Sequence, residues 1–429
     1  MRIRRAIAAS VIALSLIACT TQEDGPEADA DGTWVGTITT EGNVTTVVNE
    51  SGSMWGGPAS LVEEASIGVE SGPDEYLFGQ IGGVWADEDR IYVADYQVPA
   101  VRVYDTSGRY LFDIGRRGQG PGEYEEPWSV ATKPNGDIVV AEIAGGRLNV
   151  YAPDGTPIHT HSSASPSRTV MPNMFLMSTS GVPYTISLNH ANTEGVPRVG
   201  MRGIRADGSA GEPLFPPLTG YEPQCLNVRY MSEPYCNIPF APSESSALTP
   251  ELAWVLGAND QYAFQIHHVD GRVTKVTRHW TPVAVTDDEA DYERRRIVAS
   301  VRMNEPDWTW NGPTIPDHKP AFTRFLPDHS GRIWLLRDGP SRRVVDDCGE
   351  SFDDSGEWLR DFRPCWVADG FLDSFAADGR YLGEVRVPPT AVVSEDVFIR
   401  DDVLVVPASD DADTIMVKRY RLVLPGEGS

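Results

Sequence analysis

The chain has 429 residues, with 36 basic against 62 acidic side chains and a formal charge of −26. A surface of that sign repels nucleic acid and anionic lipid headgroups, so neither is expected as a partner. At the N-terminus Arg2, Arg4 and Arg5 precede an uncharged, mostly apolar run of thirteen residues, 6–18. Such a run is too short to span a bilayer comfortably and fits the core of a signal peptide.

The run ends in Leu16-Ile17-Ala18-Cys19, which resembles the lipobox of bacterial lipoproteins. The resemblance implies cleavage after residue 18 and a diacylglycerol on the Cys19 thiol. Thr20, where an Asp would favour inner-membrane retention, points to the outer membrane. Loss of the three arginines takes the charge from −26 to −29. Residues 21–32 are acidic, small and proline-containing, as in a solvated tether. The expected division is a signal peptide over 1–18, a lipid-bearing cysteine and tether over 19–54, and a folded body over 55–425. Contact with the membrane is expected through the lipid alone, and the folded body is expected to be a monomer.

From residue 80 one pattern recurs six times: a β-branched or aromatic run, a loop, a second run, a Gly-containing turn and a third run. Repetition on this scale points to a propeller or solenoid. The first runs centre on Tyr92, Val139, Tyr184, Trp254, Trp334 and Leu404. Runs such as Arg90-Ile91-Tyr92-Val93-Ala94 are nearly continuous in apolar residues, as strands covered on both faces are. Second runs, for example Val101-Arg102-Val103-Tyr104, alternate instead. Ser107-Gly108, Asp154-Gly155, Asp207-Gly208, Asp270-Gly271 and Asp378-Gly379 then supply the φ > 0 residue of a tight hairpin. The sixth unit has no such dipeptide.

Four-stranded antiparallel blades set radially explain a turn repeated at one place per unit better than a two-domain sandwich does. The expected fold is all-β, a six-bladed β-propeller. Residues 61–69, ahead of the first repeat, are expected to add a strand to the last blade and close the ring. Residues 115–124, Gly-Arg-Arg-Gly-Gln-Gly-Pro-Gly-Glu-Tyr, follow Tyr92-Val93-Ala94-Asp95 and Phe112-Asp113-Ile114. This combination resembles a large family of bacterial six-bladed propellers related to NHL-repeat propellers, strongly over 61–160 and again over about 320–388. The resemblance implies the fold and export; it brings little function.

With Cys19 assigned to lipid, four cysteines remain in two close pairs, Cys225 with Cys236 and Cys348 with Cys365. Disulfides are the default in an oxidising compartment, and the local pairing is expected because each pair sits in its own insertion. Neither pair has CxxC spacing, which argues against zinc.

The glycines of residues 115–124 invite a phosphate-loop reading, yet neither Lys nor Ser/Thr follows the last glycine and no helix begins there. A structural loop between blades is expected, with Arg116 and Arg117 as a local positive site in an acidic chain. In a propeller such loops share a face with the turns after each second strand. Those turns carry Asp95, Tyr96, Glu142, Asp260, Arg337 and Asp338, which with Arg116 and Arg117 form the expected ligand-binding face. A ring of carboxylates there could hold Ca²⁺ or a polar ligand, although acidic loops on an acidic protein are most simply a solvated rim. His159 with His161 and His267 with His268 lack a third ligand of obvious spacing. No G-x-S-x-G elbow, H-E-x-x-H or catalytic-cysteine context is present, so no catalytic or metal residue and no cofactor are assigned.

Thr286-Asp287-Asp288-Glu289 reads as a capping box opening a helix over about 286–304, with Ala290, Ile297 and Val301 facing the propeller. Arg294, Arg295, Trp308 and Trp310 of this insertion are the expected partner contacts. The expected function is a cell-envelope lipoprotein that binds or scaffolds a protein, peptide or glycan without catalysis. The alternative is a divalent-metal-dependent hydrolase or lyase of the lactonase type, with Asp95, Glu142 and Asp338 as ligands.

Overall fold

The structure is a computed structural model that describes residues 33–142, 146–162, 175–189, 198–230, 233–344, 365–393, 397–410 and 412–427. Six mostly antiparallel sheets follow one another along the chain, and they form the six-bladed propeller. Blade 1 comprises Ile81–Ala86, Arg90–Asp95, Ala100–Asp105 and Tyr110–Ile114. Blade 2 comprises Pro127–Thr132, Ile138–Glu142, Arg147–Tyr151 and Pro157–Ser162. Blades 3 to 5 likewise begin at Phe175, Glu244 and Arg324, and blade 6 at Phe398. The third and fourth units, interrupted in sequence by insertions, each complete four strands.

Strand formation follows burial. Residues 91–94 of the second strand are all buried, covered by neighbouring blades on both sides. One core cluster links blades 1, 2, 3 and 6, and others join blade 4 to 5 and blade 5 to 6. The first strands of neighbouring blades lie against one another around the axis. At Gly82 the approach is so close that a Cβ would lie 2.5 Å from the Trp128 carbonyl oxygen, which accounts for glycine there. The Trp85 indole N–H donates to Thr132 Oγ1 at 2.9 Å across the same seam.

The repeated hairpins appear as the sequence indicates, with Gly108, Gly155, Gly208, Gly271 and Gly379 at φ between 82° and 92°. Blade 6 lacks this turn because no chain needs to turn there. Its outermost strand, Ser60–Ile67, comes from the N-terminal side and pairs antiparallel with Ile415–Val423. Glu63 meets Lys418 at 3.0 Å, and Glu64 bonds both Arg419 and Arg421 across this clasp.

The expected tether ends too late. Val35–Glu41 and Val44–Ser51 form a hairpin whose second strand runs parallel to Val273–Arg278, giving blade 4 six strands. The run from Thr33 to Met54 is therefore folded, whereas the lipobox, Cys19 and residues 20–32 lie outside the described residues. Buried Asn49 explains why this polar segment orders. Its Oδ1 accepts from the Trp34 indole at 2.6 Å and from Tyr381 N at 2.7 Å, while its Nδ2 donates to the carbonyls of Thr277 and Gly379. All four bonds of the amide are made, in blades 4 and 5. The chain then runs along blade 5, where Trp55 N donates to Leu382 O and Ala59 N to Glu384 O, before it reaches the clasp. Residues 33–67 thus belt three blades.

The insertion helix, α1 (Asp287–Arg302), is capped as expected, with Thr286 Oγ1 accepting from Glu289 N at 3.2 Å. The apolar residues of its C-terminal half meet a second insertion. Ile297 and Val301 pack with Leu226 and Ile238 of the loop bridged by Cys225 and Cys236, joined by Trp308 and Trp310. Two insertions, each short of apolar area alone, form one core together. No helix among the described residues is long and apolar enough to cross a membrane.

Candidate functional site

The two faces of the ring are built differently. One carries the turns after each second strand and the connections between blades, including both large insertions. The other carries only short turns, between first and second strands and between third and fourth.

On the long-loop face, Asp95, Glu142 and Arg337, three of the charged residues expected to meet a ligand, are engaged in holding the chain. Asp95 is fully buried at the end of its strand, where its carboxylate accepts from the backbone N–H groups of Gly79, Gln80, Gln97 and Val98 at 2.7–3.1 Å. Arg102 lies 3.9 Å away. Glu142 repeats the device in blade 2, accepting from Glu125 N at 3.0 Å, Asn149 Nδ2 at 3.0 Å and Arg147 at 3.1 Å. In blade 4 the role falls to buried Asn259, which accepts from Ser243 N and donates to Phe322 O, leaving Asp260 exposed beside it. In these three blades the polar side chain closing the second strand captures an amide that enters its own blade. An incoming loop has no sheet partner for those N–H groups, and this acceptor supplies one.

In blade 5 Arg337 bonds Asp373 at 3.1 Å and Glu384 at 2.8 Å. Asp373 is buried, also accepts from Tyr262 and Tyr381, and has Arg278 at 3.7 Å. Next to Arg337, burial raises the Asp338 carboxyl above the usual carboxylate range, against the pull of Lys319 and Arg324. Lys319 is itself buried, donating to Gly339 O and Ser341 Oγ and lying 3.7 Å from Glu289, which ties the start of α1 to blade 5.

Residues 115–124 are a brace. Arg116–Arg117 pairs with Glu123–Tyr124, the Arg116 guanidinium meets Glu123 at 2.7 Å, and buried Tyr124 Oη donates to Ile114 O while accepting from Val101 N. Arg116 and Arg117 face solvent, and Tyr96 packs against Trp128 with ring centroids 4.4 Å apart. In the insertion, Arg294 and Arg295 are exposed and pair with Asp291, whereas Trp308 and Trp310 are half-buried in the shared core. Cys225 and Cys236 are bonded to each other. Cys365 is buried and in a disulfide; Cys348, its expected partner, lies outside the described residues. No group of three or more His, Cys, Asp or Glu among the described residues is placed to hold a metal ion.

The short-turn face holds the residues that the sequence reading passed over. A cavity of about 560 Å³ opens there, bounded by the first turns of blades 1, 2, 3, 5 and 6. Trp85, Tyr92 and Met177 give it apolar lining, and His329, Arg400, Lys133, Glu88 and Asp89 bring charge and polarity. His329 is fixed by its backbone N–H donating to Ile399 O at 2.9 Å. Its ring lies 4.4 Å from that of Trp85 and stacks on Phe398 at 5.4 Å. Burial, aided by Arg400, pushes the imidazole down to about 4, so it is neutral at pH 7. The Arg400 guanidinium sits 5.7 Å from the Trp85 ring centroid and 5.2 Å from that of Phe398. The turns themselves are self-sufficient. Asp87 accepts from Asp89 N, Arg90 N and Tyr92 Oη, and Asp328 matches it, accepting from Ser330 N, Arg332 and the Trp334 indole.

Residues 70–164 match the model of a family described as 6-bladed beta-propeller. The fold seen here is that fold. Among solved structures, a member of the duf4221 family from Bacteroides vulgatus is 10% identical, with 85% of this chain and 98% of that one covered and a TM-score of 0.43. The calcium-binding protein regucalcin from Agrobacterium tumefaciens is 13% identical over 86% and 96%, with a TM-score of 0.39. Virginiamycin B lyase from Staphylococcus aureus is 10% identical over 80% and 95%, with a TM-score of 0.35. No curated protein matches the chain.

Proposed function

We propose that the chain is a lipid-anchored protein of the bacterial cell envelope whose propeller binds a ligand without transforming it. The observation that carries this reading is the cavity on the short-turn face. It is a concave site with an aromatic lining, in which a neutral imidazole and a guanidinium make no hydrogen bond or ion pair among the described residues. Rigid turns hold these groups without engaging them, as a preorganised binding site requires. The nearby Ser178 hydroxyl is buried and bonded to Val182 and Ser180, with no histidine partner, so it is not an activated nucleophile.

A metal-dependent hydrolase or lyase acting through Asp95, Glu142 and Asp338 has less support. The first two carboxylates already accept three or more hydrogen bonds each within the chain, and releasing them would open the loops they hold. Attachment through Cys19 rests on the lipobox-like signal, and a larger partner on the exposed arginines of the 286–313 insertion.

The test is calorimetry of the purified protein against a panel of short peptides, glycans and lactones, with each compound examined by mass spectrometry afterwards. Saturable binding with the compound recovered unchanged is the expected result. Turnover of any panel member, dependent on a divalent ion and lost on chelation, would overturn the binding reading. Cross-linking in the envelope with and without residues 286–313 addresses the larger partner, and an unchanged partner set would remove the insertion from the proposal.

A further inference from the structure

The binding reading leaves the chemistry of the ligand open, and the charge arrangement of the cavity narrows it. We infer that the mouth of the channel on the short-turn face is a site for an organic monocarboxylate, with Arg400 as its cationic contact, His329 as its second polar contact and Trp85 as its apolar seat. This inference rests on the binding reading and specifies it.

Arg400 is the first observation. In a chain where acidic residues outnumber basic ones, 62 to 36, a half-buried arginine ordinarily finds a carboxylate. Arg147, Arg332 and Arg337, with side chains 13–19% exposed, all do. Arg400 does not: its guanidinium rests beside two aromatic rings and makes no hydrogen bond or ion pair among the described residues. Asp401 and Asp402 of its own turn are exposed and form no ion pair with it among the described residues, and the acids of two neighbouring first turns are occupied. Both oxygens of Asp87 accept from its own turn and from Tyr92, and both oxygens of Asp328 accept from Ser330, Arg332 and Trp334. A planar guanidinium held on aromatic faces with its N–H groups free is built to take a planar carboxylate.

His329 is the second. Its ring is largely buried, lines the cavity, and its two nitrogens have no partner among the described residues. A neutral imidazole offers one N–H donor, which a carboxylate oxygen can accept. The rim then sets the charge of the ligand. Glu88 and Asp89 are exposed at one side, opposing a second negative charge, while Lys133 stands at the turn of blade 2 and Arg90 is engaged with Pro153 O and the Phe112 ring. A polyanion is disfavoured and a single carboxylate with an apolar body is favoured. The volume of about 560 Å³ suits a ligand of one to a few amino-acid residues in size, within the roughly 300–1,000 Å³ of small-molecule sites.

The experiment is titration calorimetry of the full-length protein with N-acetylphenylalanine and with N-acetylphenylalaninamide, which share a shape and differ in charge. The acid is expected to bind at least tenfold tighter. Arg400→Gln should abolish that preference and Arg400→Lys retain part of it, which separates loss of charge from loss of folding. By NMR, the bound acid should move the His329 titration upward, since a carboxylate beside the ring favours the imidazolium. Equal binding of acid and amide, both lost on Trp85→Ala, would overturn the carboxylate assignment and leave the binding reading standing. Binding of neither compound also overturns the assignment, and the peptide, glycan and lactone panel then decides the broader reading. A tripeptide ending in phenylalanine, free and amidated, distinguishes a peptide C-terminus from a free acid: tighter binding of the free tripeptide assigns the former.

Discussion

The long-loop face and the short-turn face of this propeller carry similar residue types and use them oppositely. Loops that cross from blade to blade have no strand beside them, so buried Asp95 and Glu142 accept their amides and are consumed in doing so. The turns on the other face close on their own backbone and on Asp87 or Asp328, which leaves His329 and Arg400 facing the cavity with open hydrogen-bonding capacity. Charge in a loop is therefore a poor guide to a site. Whether the charge already has a partner is the better one.

This contrast can be broken most sharply at Asp95. Asp95→Ala leaves four backbone N–H groups without an acceptor and Arg102 without its counter-charge in a buried place, and a loss of about 3–5 kcal/mol is expected in urea denaturation. A loss below about 1 kcal/mol would mean that the carboxylate is a surface rim residue after all. Next in size, Cys225→Ser with Cys236→Ser should cost about 2–3 kcal/mol locally. Hydrogen exchange should then rise in α1 and the Trp308–Trp310 segment while the blades keep their protection; faster exchange throughout the ring would contradict a separate core for the two insertions.

Smaller effects come from titration on the short-turn face. Folding holds the His329 imidazole near 4, below its ordinary value of 6.5, through burial and the Arg400 charge, with Asp328 opposing. The unfolded chain then takes up the proton first as pH falls. Stability from this group is complete above about pH 6.5 and is lost progressively as pH drops through 4. His329→Asn should flatten that window in a series of thermal melts, and an unchanged profile would show that the ring is not held neutral. Asp105, lowered to about 2 by Ser107 and Arg109, acts in a separate window, with its stabilisation lost only as pH falls from about 4 toward 2. Smallest of all on stability is Arg400→Gln, expected to cost about 0.5–1 kcal/mol because the guanidinium loses its contacts with the Trp85 and Phe398 rings but no hydrogen bond or ion pair among the described residues.

Much of the architecture was legible in the sequence because a propeller writes its strands and turns at a regular place in each unit. Even the missing sixth turn was visible, and ring closure by residues 60–67 explains it. The polar residues were harder to read because their partners are remote. Asn49 looks like part of a tether until Thr277, Gly379 and Tyr381 are brought to it. The partner of Ile297 and Val301 in α1, the Cys225–Cys236 loop, was not visible because it lies some sixty residues earlier in the chain. His329, Arg400 and Trp85 belong to blades 5, 6 and 1, which meet only when the ring closes. A usable signal existed: a tryptophan two residues before Asp87 in the first turn of blade 1, and a histidine directly after the matching Asp328 in blade 5.

Crystals of the protein soaked with N-acetylphenylalanine show whether ligand binds on the short-turn face. Ligand density is expected in the cavity, with its carboxylate against Arg400 and His329 and its ring over Trp85. Density on the opposite face, over Asp260, Arg116 and Arg117 with the cavity empty, would contradict it.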